Sequence, residues 1–536
     1  MEDKLRRKVM EFEEEVSEPV SPSGQYLNSS VLSLSILVVL ELEIPIDDSP
    51  TLSLLKDVFL PINPRFSCVM VGGENGAKKW KRVEVNLSDH INVPIFPEGK
   101  SPEFYDECLN DYLSKIATDQ LPQSRPLWEI HIIKYPTSNA AGNIVFKLHH
   151  ALGDGFSLMG ALLSCLQRAD NPSIPLTFPS RQSNTSGDGN KNSISKRLAQ
   201  IFYGFFNTVL DFGWSILKSS FVEDDPTPIR SGDDGVEFRP ITITTMTFSL
   251  DDIKKIKANL QVTINDVIMG IIFLGTRLYM QATNHELSNT KSTAMVLLNT
   301  RNIGGYKSIK DMIKPNAEMP WGNHFAFLHA SIPNLTKTDF SNPLNFVLKA
   351  HQLIKKKRNS TAVYLTGRLL EAFTKFKGPE VRTLLSLMYR ISNMKSQHSI
   401  TILILSPSPL PPPSLSLYIY THTYIYIYIY MYIYFDFVDS ISKSQATAWY
   451  IHGTLKNSSM SISNMIGPVE QMALANHPIS GFYFNVVGAP QSVFVTVVSY
   501  VGKLRVSVGA EKGFMDPCKF KSCIENAFQM IFKAAV

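Results

Sequence analysis

The chain has few cysteines, and they are not arranged as metal ligands or as a disulfide framework. Its 536 residues include five cysteines, an odd number, and no two of them are separated by only two residues. Structural zinc sites and disulfide-rich secreted domains both rely on closely spaced cysteines. The sequence therefore predicts no metal site and favours a reducing compartment. The five are Cys68, Cys108, Cys165, Cys518 and Cys523.

Charge of either sign is also scarce. Charged residues make up 18% of the chain, and the formal net charge is only +5. Basic residues cluster at 78–82 and 355–358, but neither cluster lies in a nucleic-acid-binding sequence signature, so we expect no nucleic-acid partner. A solvated face is the main interpretation of both clusters, and anionic lipid or a CoA phosphate is the alternative.

Long hydrophobic runs are few. The charged amino terminus has no apolar segment of the kind found in secretory signals, so no cleavable signal is predicted. The stretch 200–221 approaches the length of a membrane span, but Asn207 and Asp211 interrupt it, and an intramembrane Asp costs about 2.5–3.5 kcal/mol. Two interpretations stay open for this stretch: an interfacial membrane helix, or a helix that covers a domain junction.

Elsewhere the patterns predict ordinary secondary structure. Alternation and apolar runs indicate strands at 31–46, 143–148 and 241–248, and Ser249 is a good N-cap for a following helix. Helical spacing of apolar residues marks 104–117. The segments 493–500 and 504–508, joined by a short turn that contains a glycine, predict a hairpin.

The most informative segment is His149-His150-Ala151-Leu152-Gly153-Asp154-Gly155. It joins the predicted strand at 143–148 to a predicted helix at 156–166. A histidine at a strand end can take a proton from a hydroxyl near neutral pH. Asp154 can fix the loop by holding an arginine or a backbone amide. Gly153 and Gly155 are expected to adopt backbone angles that side chains forbid and to let a substrate approach closely.

This HHxxxDG string resembles the active-site motif of the CoA-dependent acyltransferase superfamily, and other segments resemble the plant wax ester synthase/diacylglycerol acyltransferases. The resemblance covers about residues 17 to 390 and 446 to 536. The segments that carry it include RPLWE at 125–129, TINDV at 263–267, NTR at 299–301, WGN at 321–323 and SNMIGP at 463–468.

The resemblance implies an α/β fold of two chloramphenicol-acetyltransferase-like sandwich domains, with a tunnel and the active site between them. The first domain would cover residues 1–170 and carry the motif. Residues 171–238 would form a linker that contains the apolar stretch 200–221, with both of its interpretations open, and residues 239–536 the second domain.

By the same resemblance, His150 is the general base, supported by His149 and Asp154. Gly155, Ser463 and Asn464 are expected to contact substrate, and Ser463 or Asn464 is the candidate donor to the oxyanion. Trp128 is expected to pack in a core.

The implied reaction moves a fatty acyl group from acyl-CoA to a long-chain alcohol or to diacylglycerol. Acyl-CoA is a co-substrate, and no further cofactor is expected. The expected location is the endoplasmic reticulum membrane, by association or a single pass, or the plasma membrane. Two alternatives remain: an acyltransferase like the plant BAHD enzymes with another alcohol acceptor, or an inactive lipid-binding or scaffold product.

Residues 399–437 interrupt the second domain with a low-complexity tract that alternates Tyr and Ile. A repeated TA dinucleotide encodes this alternation, so we interpret the tract as translated non-coding sequence. The alternative is a genuine strand or membrane hairpin, which would be prone to aggregation because it combines high β-propensity with no charge. If the tract disrupts the sheet of the second domain, the chain would be the inactive product named above.

Overall fold

The computed structural model describes residues 18–30, 32–72, 78–174, 176, 218, 222–299, 301, 321–358 and 451–536. Apart from Lys218, the predicted apolar helix at 200–221 lies outside the described residues, and so does the low-complexity tract at 399–437.

The strands fall into two large sheets and one small sheet. In chain order they are β1 (Glu18–Pro19), β2 (Ser35–Leu42), β3 (Cys68–Gly72), β4 (Lys78–Arg82), β5 (Ile91–Asn92), β6 (Trp128–Ile133), β7 (Gly142–His149), β8 (Gln167–Arg168), β9 (Ile241–Ser249), β10 (Thr293–Asn299), β11 (Phe325–Ser331), β12 (Met460–Ile466), β13 (Met472–Leu474), β14 (His477–Val487), β15 (Val493–Tyr500) and β16 (Lys503–Glu511).

The helices pack on these sheets. They are α1 (Pro22–Tyr26), α2 (Thr51–Leu54), α3 (Pro102–Thr118), α4 (Gly155–Cys165), α5 (Leu250–Leu260), α6 (Ile264–Thr283), α7 (Lys337–Ser341), α8 (Leu344–Arg358) and α9 (Pro517–Ala535). Short 3-10 or π segments occur at Leu55–Phe59, Leu60–Ile62, Pro64–Ser67, Leu87–His90 and Val236–Phe238.

The first large sheet has the order β5-β6-β7-β2-β14-β13-β8 and carries the motif at the end of β7. Every residue of β2 and of β7 is buried, because both faces of the sheet are covered. Even-numbered residues of β2 such as Ile36 and Val38 enter one apolar core, while Leu37 and Val39 enter another on the opposite face. The strands predicted at 31–46 and 143–148 are therefore confirmed.

The second large sheet has the order β11-β10-β12-β15-β16-β9, and its predicted parts are confirmed. β15 and β16 form the predicted hairpin, with Tyr500 paired to Lys503. Ser249 caps α5 by accepting a hydrogen bond from the Asp252 amide, because its hydroxyl replaces a carbonyl that a helix start lacks.

Strands from the second half of the chain complete the sheet of the first half, which the predicted domain boundary at residue 239 did not anticipate. β14 belongs to the second half of the chain, but it pairs antiparallel with β2 in the first sheet. β13 likewise pairs with β8. An ion pair between Glu41 on β2 and Arg505 on β16 adds a polar contact between the sheets. The second domain expected over 239–536 therefore has to be amended, because residues 472–487 complete the first sheet.

Within the described part of the chain, no single helix is long and apolar enough to cross a membrane. α5 and α6 together have that length and composition, with a bend of 101° between them.

Candidate active site

The HHxxxDG segment forms a tight loop between β7 and α4, as the sequence predicted. β7 ends at His149, and the His150 amide donates to the Leu34 carbonyl oxygen at 2.8 Å, which continues the sheet by one bond. Asp154 is the N-cap of α4 and accepts from the Ser157 amide at 3.0 Å. Both ends of the loop are thus fixed by regular structure, which is how a rigid scaffold aims a side chain.

His149 has both ring nitrogens engaged inside the protein. Its Nδ1 accepts from the Ala151 amide at 3.1 Å, so Nε2 carries the hydrogen and donates to the Ser33 hydroxyl at 3.1 Å. The residue is completely buried, and burial, helped by neighbouring His150, lowers its pKa to about 3. His149 is therefore a neutral positioning residue with no free nitrogen for proton transfer.

His150 is held by Asn323, which comes from the second half of the chain. The Asn323 Nδ2 donates to the His150 carbonyl oxygen at 3.0 Å, and this contact fixes which way the amide faces. The Asn323 Oδ1 then lies 3.0 Å from Nδ1 of His150, which must be the protonated nitrogen because an amide oxygen can only accept. Nε2 of His150 is consequently the unprotonated nitrogen, the form that a general base requires.

The surroundings of His150 keep it neutral. Its ring meets the edge of Phe325 with 5.7 Å between ring centroids, and only 5% of the residue is exposed. Burial lowers the pKa of His150, although the Asp154 carboxylate and the Asn323 side chain act in the opposite direction. The described part of the chain supplies no hydrogen-bond partner for Nε2.

The Asp154 carboxylate binds Arg301. One Asp154 oxygen lies 2.7 Å from Nη1 of Arg301, and the other lies 3.2 Å from Nη2. Burial would raise the pKa of Asp154, but Arg301 and two backbone amides outweigh that effect and hold the pKa below its usual value. The predicted role of Asp154 as the anchor of the loop agrees with these contacts.

Residues 321–324, which belong to the second half of the chain, form hydrogen bonds around the motif loop. The indole of Trp321 donates to the Leu152 carbonyl oxygen at 2.8 Å, and the His324 amide donates to Asp154 at 2.8 Å. Nη2 of Arg301 also donates to the Gly322 carbonyl oxygen at 2.8 Å. The loop is therefore held from both halves, and its geometry depends on their assembly.

Neither glycine of the motif is required for its backbone angles, which corrects the prediction made for them, and only Gly153 is required for space. Neither Gly153 nor Gly155 has a positive φ. A Cβ at Gly153 would lie 2.9 Å from the Ser157 Cβ, so this position has no room for a side chain. A Cβ at Gly155 would meet only the Met465 sulfur, at 3.4 Å, which is an ordinary contact.

The two candidate oxyanion donors lie on opposite faces of β12. Met465 joins the apolar core of the first half, whereas Ile462 joins the core of the second. Because side chains alternate along a strand, Ser463 shares the face of Met465 and Asn464 faces the other way. The Asn464 amide donates to the Asn265 Oδ1 at 3.2 Å. Asn464 is therefore not placed to serve the motif loop, contrary to expectation.

Trp128 packs in the core, as expected. It is fully buried, and its indole donates to the Phe66 carbonyl oxygen at 2.8 Å. It also stacks on His90 with 4.0 Å between ring centroids. Asn323 and Arg301 are the site residues that the sequence did not assign. They appeared only inside the WGN and NTR segments, and no local pattern ties either of them to residue 150 or 154.

A loop carrying a histidine and an anchoring aspartate, held between two α/β halves, defines an acyltransferase of the chloramphenicol-acetyltransferase-like fold. Two family models match this chain. The wax ester synthase/diacylglycerol acyltransferase catalytic domain matches residues 61–268, and the WS/DGAT C-terminal domain matches residues 321–436 and 426–532. The chain belongs to the wax ester synthase/diacylglycerol acyltransferase family, and it is an enzyme of the acyltransferase class.

Individual proteins support the same placement. Wax ester synthase/diacylglycerol acyltransferase 4 of Arabidopsis thaliana is 26% identical over 560 residues, which cover 100% of this chain and 94% of that protein. Wax ester synthase/diacylglycerol acyltransferase 6 of the same plant is 27% identical over 579 residues, which cover 100% of this chain and 98% of that protein. The solved wax ester synthase/diacylglycerol acyltransferase from Marinobacter aquaeolei VT8 shares the fold with a TM-score of 0.53 and 14% identity, covering 96% of this chain and 99% of that one.

Proposed function

We propose that this enzyme transfers a fatty acyl group from acyl-CoA to the hydroxyl of a long-chain alcohol or of diacylglycerol. Nε2 of His150 takes the hydroxyl proton while the oxygen attacks the thioester carbonyl carbon. The tetrahedral intermediate then expels the CoA thiolate, which receives the same proton from the imidazolium. The products are an ester and free CoA, and His150 returns to its neutral form.

The observation that carries this proposal is the tautomer of His150. Asn323 keeps the proton on Nδ1, so the lone pair of Nε2 remains available for an incoming hydroxyl. Burial keeps the ring neutral at physiological pH, since it lowers the pKa of His150. An alcohol cannot lose its proton unaided near neutral pH, and a positioned neutral imidazole is the group that accepts it.

The side chains near the motif suit apolar substrates. Phe325, Leu297 and Met465 are half-buried and pack on the apolar core of the first half. Apolar walls with a few placed polar groups are typical of pockets for lipid-like ligands. The names of the Arabidopsis relatives, which are wax ester synthases/diacylglycerol acyltransferases, point to the same substrates.

Several further features belong to this proposal. Acyl-CoA is the co-substrate, and the reaction as written needs no additional cofactor. Ser463 remains the candidate oxyanion donor from the sequence analysis, because it lies on the face of β12 that Met465 shares. We also propose that the enzyme works at a membrane surface, in the endoplasmic reticulum or at the plasma membrane, because both acyl acceptors partition into lipid.

The test is an acyl-transfer assay on two forms of the protein, the full chain and a chain without residues 399–437. Each form receives labelled palmitoyl-CoA with hexadecanol, with diacylglycerol or with a phenolic alcohol. We expect wax ester or triacylglycerol from at least one form, and a loss of about 10²- to 10⁴-fold in its His150→Ala variant. Turnover confined to the phenolic acceptor would support the BAHD-like alternative. A folded chain that binds lipid but acylates no acceptor would support the inactive product.

A further inference from the structure

Asn299 is the last residue of β10, and its cross-strand neighbour contacts His150. It is paired with Phe325 across the antiparallel ladder of β10 and β11. Directly opposite residues of such a ladder point to the same face of the sheet. The Phe325 ring contacts the His150 ring edge-on. The side chain of Asn299 therefore lies on the face of the second sheet that is turned toward the motif loop.

The apolar residues of β10 independently place Asn299 on the same face of the sheet. Met295 and Leu297 belong to the core of the first half, while Val296 belongs to the core of the second half. Side chains alternate along a strand, so the residue two positions after Leu297 has the same orientation as Leu297. Asn299 is that residue, and it continues the stripe that faces the motif loop.

Arg301 fixes the orientation of the Asn299 amide. The Asn299 Oδ1 accepts from the backbone amide of Arg301 at 2.9 Å and from its Nη1 at 3.3 Å. The same guanidinium is bound to Asp154. Because its oxygen is held by donors, the amide presents its Nδ2 in the other direction. This nitrogen is buried, and the residues that the structure describes offer it no hydrogen-bond partner. Buried donors without a partner are rare, since their lost hydration is not compensated.

Strands β10 and β12 of the second sheet separate before β10 reaches Asn299. The parallel ladder between β10 and β12 ends at the pair Val296–Ile462. β10 nevertheless continues to Asn299 along β11, and β12 continues to Ile466 along β15. Ligands of α/β proteins commonly bind beyond the carboxyl ends of parallel strands. Asn299 and Ser463 stand on the two strands that border this separation, on the same face.

We propose that Nδ2 of Asn299 donates a hydrogen bond to the carbonyl oxygen of the acyl thioester. As Nε2 of His150 takes the hydroxyl proton and the new O–C bond forms, the carbonyl π electrons move onto this oxygen, and the bond from Asn299 strengthens. When the C=O bond re-forms, the C–S bond breaks and the sulfur takes the proton. This role rests on the proposed function. A donor held in place before the reaction stabilises the developing charge at no cost of reorganisation.

The kinetic test uses Asn299→Asp, which keeps an oxygen facing Arg301 and removes the NH2 donor. We expect kcat to fall by about 10²- to 10³-fold, with the KM for acyl-CoA changed far less. Rates are compared on the alkaline plateau, where His150 is neutral in both proteins. The matched control is Asn259→Asp on the exposed surface of α5, which should retain the parental kcat. A kcat of Asn299→Asp within about threefold of the parent would overturn the proposal, because a lost oxyanion donor has a far larger effect.

A binding test needs no turnover and therefore separates this proposal from the identity of the acyl acceptor. Two inert CoA analogues are titrated, a ketone with methylene in place of sulfur and an alkyl thioether that lacks the carbonyl oxygen. The parent should prefer the ketone by about three- to tenfold, the effect of one net hydrogen bond, and Asn299→Asp should lose that preference. An unchanged preference, or equal weakening of both analogues, would assign Asn299 a structural role only. A parent that acylates no acceptor but shows the preference would overturn the proposed function alone.

Discussion

Asp154 and Arg301 form an ion pair with 2.7 Å between Oδ2 and Nη1, and both side chains are almost completely buried. The two residues are 147 positions apart and come from opposite halves of the chain. Around this pair, the Gly322 carbonyl oxygen and the Ser157 hydroxyl also accept hydrogen bonds from Nη2 of the guanidinium. The ion pair therefore joins the motif loop, the end of β10 and the WGN segment into one polar cluster.

Removal of Asp154 should destabilise the protein. Asp154→Ala removes the carboxylate that is bound to the buried Arg301 guanidinium, and the free energy of unfolding should fall by roughly 3–5 kcal/mol. Urea unfolding, followed by tryptophan fluorescence, measures this change. The double variant Asp154→Ala/Arg301→Met removes both charges and should recover part of the loss. If the two single substitutions add without coupling, the ion pair does not hold the loop.

Replacement of Asn323 should change the pH dependence of the reaction. Asn323→Asp still accepts from Nδ1 of His150, but its negative charge stabilises the imidazolium and raises the pKa of His150. Activity requires neutral His150, so the acidic limb of the kcat/KM profile should move upward by about one unit or more.

Asn323→Leu is the matched variant for this experiment. It removes the acceptor without adding charge, so the rate should fall at all pH values without an upward shift of the acidic limb. Superimposable profiles of the parent and Asn323→Asp would show that Asn323 does not touch the reacting imidazole in solution.

His149 should influence acid stability more than chemistry. Its pKa is lowered to about 3 in the folded protein, from an ordinary value of 6.5. The unfolded chain therefore binds an additional proton below pH 6.5, and the stability that neutral His149 contributes is lost as the pH falls from there. His149→Leu lacks this titration, so its stability should depend less steeply on pH between 6 and 4, by up to about 1.4 kcal/mol per pH unit.

Urea unfolding at several pH values measures this slope. His285→Leu on the exposed surface is the control and should keep the parental slope. His149→Leu should also be less stable at neutral pH, by about 1–3 kcal/mol for each polar group left unsatisfied at Ala151 and Ser33. A slope that matches the parent would mean that the ring of His149 is protonated in the folded protein.

The two motif glycines should differ in their tolerance of alanine. At Gly153, a methyl group would overlap the Ser157 Cβ, and both atoms are fixed by backbone, so we expect a loss of about 1–3 kcal/mol. At Gly155, the first residue of α4, the neighbour is the flexible side chain of Met465, and alanine is a better helix former than glycine. Thermal midpoints of the two variants compare them directly, and equal midpoints would contradict the steric argument.

Local patterns predicted much of the secondary structure and the core of the site. The apolar character of β2 and β7, the cap at Ser249 and the hairpin of β15 and β16 all follow from neighbouring residues. The sequence also marked His150 and Asp154, because a histidine pair followed by Asp and Gly is unusual between a strand and a helix. The resemblance offered Ser463 and Asn464 as alternatives, because the orientation of β12 relative to the motif loop cannot be read from its local pattern.

The sequence by itself determined the strand, loop and helix around the motif and marked His150 and Asp154, because these features depend on neighbouring residues. Only the tertiary structure decided which nitrogen of His150 is free, since that depends on Asn323, 173 residues away. It also decided that β14 completes the first sheet and that Arg301 meets Asp154. Such pairings arise from the packing of distant segments, and the periodicity of a single segment contains no information about its distant partner.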